Sequence, residues 1–72
     1  MNAEIDPRVK RAEQVARSAA SDIVTDEHGV TLREEGDNWV FVFLPKGRVR
    51  GGGAQVTVSR KTMESVDVLY LQ

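Results

Sequence analysis

The chain has 72 residues, a formal net charge of -1, one histidine and no cysteine. This length supports one domain, predicted to span residues 1–72 with residues 1–6 disordered. The composition excludes disulfides, thiolate metal sites and a multi-histidine metal site within one chain. No apolar run approaches the roughly 20 residues that span a bilayer, and the N-terminus lacks the pattern of a signal peptide, so a cytoplasmic location without membrane contact is expected.

Asp6 and Pro7 predict the start of a helix, because an aspartate caps free N–H groups and proline fits the first helical position. Apolar residues then recur at steps of three and four, which predicts a helix of about 18–20 residues. The stripe consists of Val9, Ala12, Ala16, Ala19, Ala20 and Ile23. Since most of it is alanine, the helix is expected to pack closely on a sheet. Gly29, just past His28, is expected to end the helix.

Four segments follow with the alternation or β-branched and aromatic content of strands, namely residues 30–34, 39–44, 54–60 and 65–71. Strands that follow one another through short turns pair antiparallel. The predicted fold class is therefore α+β. One N-terminal helix packs on a three- to four-stranded antiparallel sheet, in the order α-β-β-β-β.

The second of these strands is apolar on both faces, and one helix covers only one face of a sheet. Something else is expected to cover the surplus apolar surface. A second copy of the chain is the simplest candidate, because a two-fold dimer is self-complementary. Another protein or a small apolar ligand is the alternative. The predicted dimer or partner face comprises Trp39, Phe41, Phe43, Leu69 and Leu71.

The segment 45–61 is the basic part of the chain, with five basic and no acidic residues. Its glycine-rich loop, residues 45–53, offers Lys46, Arg48 and Arg50 as candidate anion or partner contacts, since arginine forks and glycine N–H groups bind phosphates. An RNA- or anion-binding domain that also uses Arg60 and Lys61 is thus an alternative, and its affinity would fall steeply with salt. The favoured interpretation is a solvent-exposed hairpin loop, because no aromatic residue for base stacking lies within it.

His28 follows two carboxylates, a pattern compatible with acid–base chemistry. Without an evident nucleophile, the pattern favours a solvated histidine at a helix C-terminus. Glu34, Glu35 and Asp37 lack the spacing of a calcium loop and favour a solvated turn. No catalytic, cofactor-binding or metal-ligating residue is predicted, and no cofactor is expected.

Three features together resemble the cystatin/NTF2-like half-barrel group over roughly residues 8–71. They are Trp39-Val40-Phe41 in the middle strand, the glycines 51–53 before the next strand, and the segment 56–62, Val-Thr-Val-Ser-Arg-Lys-Thr, before the last. The chain is most similar to small NTF2-fold immunity-type proteins of bacteria, and its strand-turn-strand end is also similar to PepSY-like modules. The resemblance implies a helix cradled by a curved antiparallel sheet and a bacterial protein that binds and blocks a partner. Residues 55–58 do not match the inhibitory loop of cystatins, so protease inhibition is not implied.

These observations predict a non-enzymatic protein-binding or dimerisation module, of immunity or inhibitor type by resemblance. Its expected partner is a second copy of the chain or another protein. An RNA- or anion-binding domain is the first alternative. A small NTF2-like enzyme or ligand binder with a deep pocket is the second alternative.

Overall fold

A computed structural model of the chain describes residues 7–46 and 52–71. The strands form a single antiparallel sheet in the order β1-β2-β3-β4, so each pairs with its neighbour along the chain. The predicted α+β class and α-β-β-β-β order are confirmed. The elements are α1 (Pro7–Ala19), β1 (His28–Glu35), β2 (Asn38–Pro45), β3 (Gly53–Ser59) and β4 (Ser65–Leu71).

The helix is shorter than predicted. It has 13 residues and ends at Ala19, after which the chain turns with the Val24 N–H donating to the Ala20 carbonyl at 2.8 Å. Gly29 lies in β1 and does not end the helix. The predicted stripe extends past the helix because Ala20, one of its members, is buried in the core beyond the last helical residue. The predicted Asp6 cap lies outside the described residues.

The described part of the chain holds no helix with the length and apolar content that crossing a membrane requires.

The core lies between α1 and one face of the sheet. Ala12 and Ala16 are completely buried, and their small side chains let the helix approach the strands closely. The facing residues of β2 and β3 are at most 1% exposed: Trp39, Phe41, Phe43, Ala54, Val56 and Val58. The aromatic row of β2 is thus the core of the monomer. The prediction that this row forms a partner face together with Leu69 and Leu71 is wrong, because the helix covers it.

Arginine side chains cover the aromatic row where the helix does not reach. The Arg17 guanidinium lies 5.2 Å from the centre of the Phe43 ring. The guanidinium groups of Arg60 and Arg8 lie 5.2 and 5.6 Å from the Trp39 ring. Contacts of this kind contribute about 0.5–1 kcal/mol each at exposed sites, and here they also exclude water from the rings.

The open face, defined as the sheet face away from α1, is only partly apolar. Val40 on this face is 2% exposed, and its cross-strand neighbours there are Arg33 and Thr57. Long or branched neighbours shield a residue in the middle of a sheet in this way. Leu44, near the other end of β2, is 50% exposed. The surplus apolar surface is therefore confined to one end of the open face.

The first turn and the last strand each carry a local feature. Gly36 and Asp37 join β1 to β2 in a two-residue turn, and Gly36 takes the positive φ of 59° that such turns favour in glycine. In β4, Ser65 and Asp67 pair with successive residues of β3, so Val66 is an extra residue, a β-bulge. Bulges bend a strand locally. Regular pairing of β4 therefore runs from Asp67 to Leu71.

Candidate protein-binding surface at the sheet edge

Exposed apolar side chains concentrate on β4. Six large apolar side chains are exposed in the described residues, and three of them belong to this strand. These three are Val66, Leu69 and Tyr70, each between 49% and 57% exposed. Scattered exposed apolar residues are ordinary, whereas a contiguous group marks an interaction surface. β4 is therefore the centre of the candidate surface.

β4 is also an edge strand: among residues 7–46 and 52–71, no strand pairs with the outer side of its backbone. The opposite edge, β1, carries Arg33, Glu34 and Glu35, and charged side chains of this kind discourage further strand pairing. β4 has neither lysine nor proline, and Asp67 is its only charged residue. Of the two edges, β4 is the one that charge does not protect.

The open face beside β4 is apolar at one end. Leu69 pairs across β3 with Gln55, which in turn pairs with Val42. Leu71 pairs with Gly53, and a Cβ placed on that glycine would lie 3.2 Å from the Leu44 Cδ2. Leu69 and Leu71, two of the predicted partner-face residues, thus belong to one apolar patch, the open-face patch: Val42, Leu44, Leu69 and Leu71.

The helix side of the same edge holds a groove of about 690 Å³. One flank of α1, represented by Arg11, Val15 and Ser18, lines it. The opposite wall is Met63 and Glu64 of the β3–β4 turn and Ser65 at the start of β4. The other flank of α1 lies toward β2, where Arg17 covers the aromatic row. The groove therefore runs along the β4 side of the helix, where the sheet ends.

The groove was not predicted from the sequence. Its apolar floor includes Val15 and Met63, which are partly buried against the core. Val15 is an apolar helix residue that lies outside the predicted stripe. This position is the feature of the sequence that could have indicated the groove. Met63 has a φ of 60°, an uncommon conformation for a residue other than glycine, asparagine or aspartate, and no sequence pattern indicates it.

Tyr70 contacts the segment that follows the helix. Its hydroxyl donates a hydrogen bond to the Asp22 carboxylate at 3.3 Å. Desolvation of the phenol, the negative charge of Asp22 and the hydrogen bond to it all raise the pKa of Tyr70 above its usual value of 10.0.

We therefore expect the phenol of Tyr70 to ionise at a higher pH in the folded chain than in the unfolded chain. The stabilising contribution of this group is present below the unfolded pKa and is lost as pH rises through the folded pKa. The chain has one tyrosine, so an alkaline absorbance titration reports on it alone. Asp22→Asn removes the charge and should lower the midpoint; identical midpoints in both proteins would contradict this account.

The basic residues predicted as an anion site do not form one patch. Lys46 follows β2 at one end of the sheet, and its N–H donates to the Glu27 carbonyl at 2.9 Å. Arg60 and Lys61 lie beside the β1–β2 turn, at the opposite end of β2; the Arg60 N–H donates to the Asp37 carbonyl at 2.9 Å. Antiparallel pairing thus separates these two groups of cations.

Two of the predicted anion contacts, Arg48 and Arg50, lie outside the described residues.

His28 has a structural position. Its Nδ1 accepts a hydrogen bond from the Thr25 N–H at 3.2 Å, so its Nε2 carries the proton and donates to the Gly52 carbonyl at 3.1 Å. The prediction of a solvated histidine at the helix C-terminus is wrong, because the helix ends at Ala19 and His28 begins β1. The imidazole instead ties the start of β1 to the residue before β3.

The three carboxylates near the first turn each contact a different cation. The pairs are Glu34 with Arg60 at 2.8 Å, Glu35 with Arg33 at 2.8 Å, and Asp37 with Lys61 at 3.5 Å. Exposed pairs of this kind contribute about 0–1 kcal/mol each. Among residues 7–46 and 52–71, no three histidine or acidic side chains come together as a metal site would require.

Comparison of the chain with protein-family models, with curated protein sequences and with solved structures gave no significant match. The resemblance to the cystatin/NTF2-like group stays a prediction from sequence motifs.

Proposed function

We propose that the chain is a non-enzymatic protein-binding module that works by self-association. The observation that carries the proposal is the surface of β4. This strand exposes apolar side chains, Leu69 toward the open face and Tyr70 toward the helix side, at an edge without protecting charge. Burying such surface is worth roughly 25 cal/mol per Å² of apolar area removed from water.

The size of the chain supports association. A core in a domain this short rarely supplies more than about 3–5 kcal/mol of stability, and small chains without disulfides often gain the rest by oligomerising. A standard interface covers about 800 Å² per partner, roughly a sixth of the 5064 Å² that one chain exposes. One side of the molecule is therefore large enough to hold a stable contact.

The resemblance to immunity-type proteins of the NTF2-like group supports the protein-binding part of this proposal, because it implies a protein that binds a partner. The open-face patch and β4 form a continuous apolar surface for such a contact. Its charges are few, so we expect the association to change little with salt, unlike binding to phosphates.

The test is the solution mass, measured by light scattering after size exclusion over a hundredfold range of concentration. We expect about 16 kDa, two chains of 8.0 kDa each, because the interface is apolar. Leu69→Lys places a charge in the interface and should give the mass of one chain. Val30→Lys is the matched control and should remain a dimer, because Val30 is an apolar strand residue, 38% exposed, on the far edge of the sheet and on the face opposite the patch. A single-chain mass for the unaltered protein at every concentration would refute the proposal.

A further inference from the structure

We infer that the second copy docks edge to edge, with β4 of one protomer pairing antiparallel with β4 of its partner around a two-fold axis near Leu69. This inference rests on the proposed self-association and specifies its geometry. Pairing of the two edges joins two four-stranded sheets into one sheet of eight strands. Backbone hydrogen bonds across the axis would satisfy the N–H and C=O groups that β4 leaves unpaired.

The regular part of β4 fixes the register. The bulge at Val66 bends the start of the strand. The stretch that can pair regularly with another strand is therefore Asp67 to Leu71. Leu69 is the middle residue of this stretch. In a two-fold antiparallel pair centred there, Leu69 lies opposite its own copy, and Val68 lies opposite Tyr70 of the partner subunit.

The charge distribution on β4 is compatible with this register. Asp67 is the only charged residue of β4, and it lies opposite Leu71 of the partner subunit, away from its own copy. Like charges directly opposite each other destabilise a sheet, and the antiparallel arrangement avoids them. The same pairing through β1 would instead have to desolvate its ion-paired charges, including the Arg33–Glu35 pair at 2.8 Å.

The position of the helix leaves the same edge free. α1 contacts β3 most and reaches both β2 and β4, so its axis lies above β3. With strands about 4.8 Å apart, the two-fold axis would lie half a spacing beyond β4, and the two helices would be about 14 Å apart. Helices in direct contact lie about 8–10 Å apart, so the two copies of α1 would not collide when the edges pair.

Side chains of both faces of β4 take part in this pairing. Val68 and Tyr70 point to the helix side of the sheet, where Val68 meets Tyr70 of the partner subunit across the new strand pair. Leu69 and Leu71 point to the open face. Stacking of two open faces would cover Leu44 and Leu69 but would leave the strand edge unpaired.

The chain has no cysteine, so a single introduced cysteine tests the geometry directly. Residues opposite each other across antiparallel strands have Cα atoms about 4.5–5.5 Å apart, which suits a disulfide. Under mild oxidation we expect Leu69→Cys to become mostly a disulfide-linked dimer on a non-reducing gel. Thr31→Cys, on the same face but at the far edge, should stay uncross-linked in the same conditions.

Hydrogen–deuterium exchange of the unaltered chain provides a second readout that needs no substitution. At concentrations where the dimer forms, we expect the amides of residues 67–71 to exchange as slowly as those of the inner strand β2, and to exchange faster on dilution. Cross-linking with slow exchange supports edge pairing. A dimeric mass with free Leu69→Cys and rapidly exchanging β4 amides would overturn edge pairing and leave self-association standing, whereas a monomeric mass would overturn both.

Discussion

Replacing Phe41 with alanine is expected to lower the free energy of unfolding by about 3–5 kcal/mol. Phe41 is 1% exposed and lies at the centre of the sheet, where it pairs with Val56 on β3. Its ring stacks on Phe43, with the centroids 6.4 Å apart and the planes 17° from parallel. Truncation removes these contacts and leaves a cavity that the surrounding alanines of α1 are too small to fill.

At roughly 0.05–0.15 kcal/mol per residue, a 72-residue chain has about 4–11 kcal/mol of stability, so Phe41→Ala should lose a large part of it. Circular dichroism during urea titration, at one fixed protein concentration, measures the change. Leu32→Ala is the matched control, since Leu32 is the direct cross-strand neighbour of Phe41 on β1 but is 39% exposed. Equal losses in the two variants would show that the core is not where we place it.

Gly53→Ala is expected to be the second most damaging change, with a loss of about 1–3 kcal/mol or more. A Cβ at this position would overlap the carbonyl oxygen of Phe43 on the neighbouring strand. That oxygen belongs to the backbone of β2 and cannot move away without disturbing the pairing of β2 with β3. The start of β3 therefore requires a residue without a side chain.

Gly29→Ala provides the comparison, because a Cβ there would meet its nearest neighbour, the Lys46 side chain, at an ordinary 3.9 Å. Both glycines lie in strands, so the loss of glycine flexibility is similar in the two variants. The difference between their urea midpoints then measures the close approach itself. If Gly53→Ala proved as stable as Gly29→Ala, the tight contact between β2 and β3 would be disproved.

Much of the fold is readable from the sequence where one physical effect dominates. The bounds of β4 at Ser65 and Leu71 match the prediction, because alternation and flanking turn residues agree there. The faces of β3 are also confirmed, with Val56 and Val58 inside. The helix end was missed because Ala20 and Ile23 continue the helical spacing of apolar residues after the backbone has left the helix.

The candidate surface was only partly readable. Leu69 and Leu71 were predicted to lie on it, but the row that includes Phe41 was assigned to the same surface. A strand apolar on both faces does not reveal which face the helix covers. Two features of the surface depend on where the helix lies across the sheet. One is which edge strand stays unprotected, and the other is which flank of α1, the one that carries Val15, lies beside that edge. That position is a tertiary property without a local pattern.

The agreement between strand order in the sheet and strand order in the chain has a kinetic consequence. Each pairing closes a short loop, beginning with the two-residue turn at Gly36 and Asp37, so the entropy lost before native contacts form is small. Hairpins form in about 1–10 μs, and chains rich in such local contacts fold faster than β proteins with distant pairings. The newly made chain would therefore expose the inner edges of its strands only briefly before the sheet is complete.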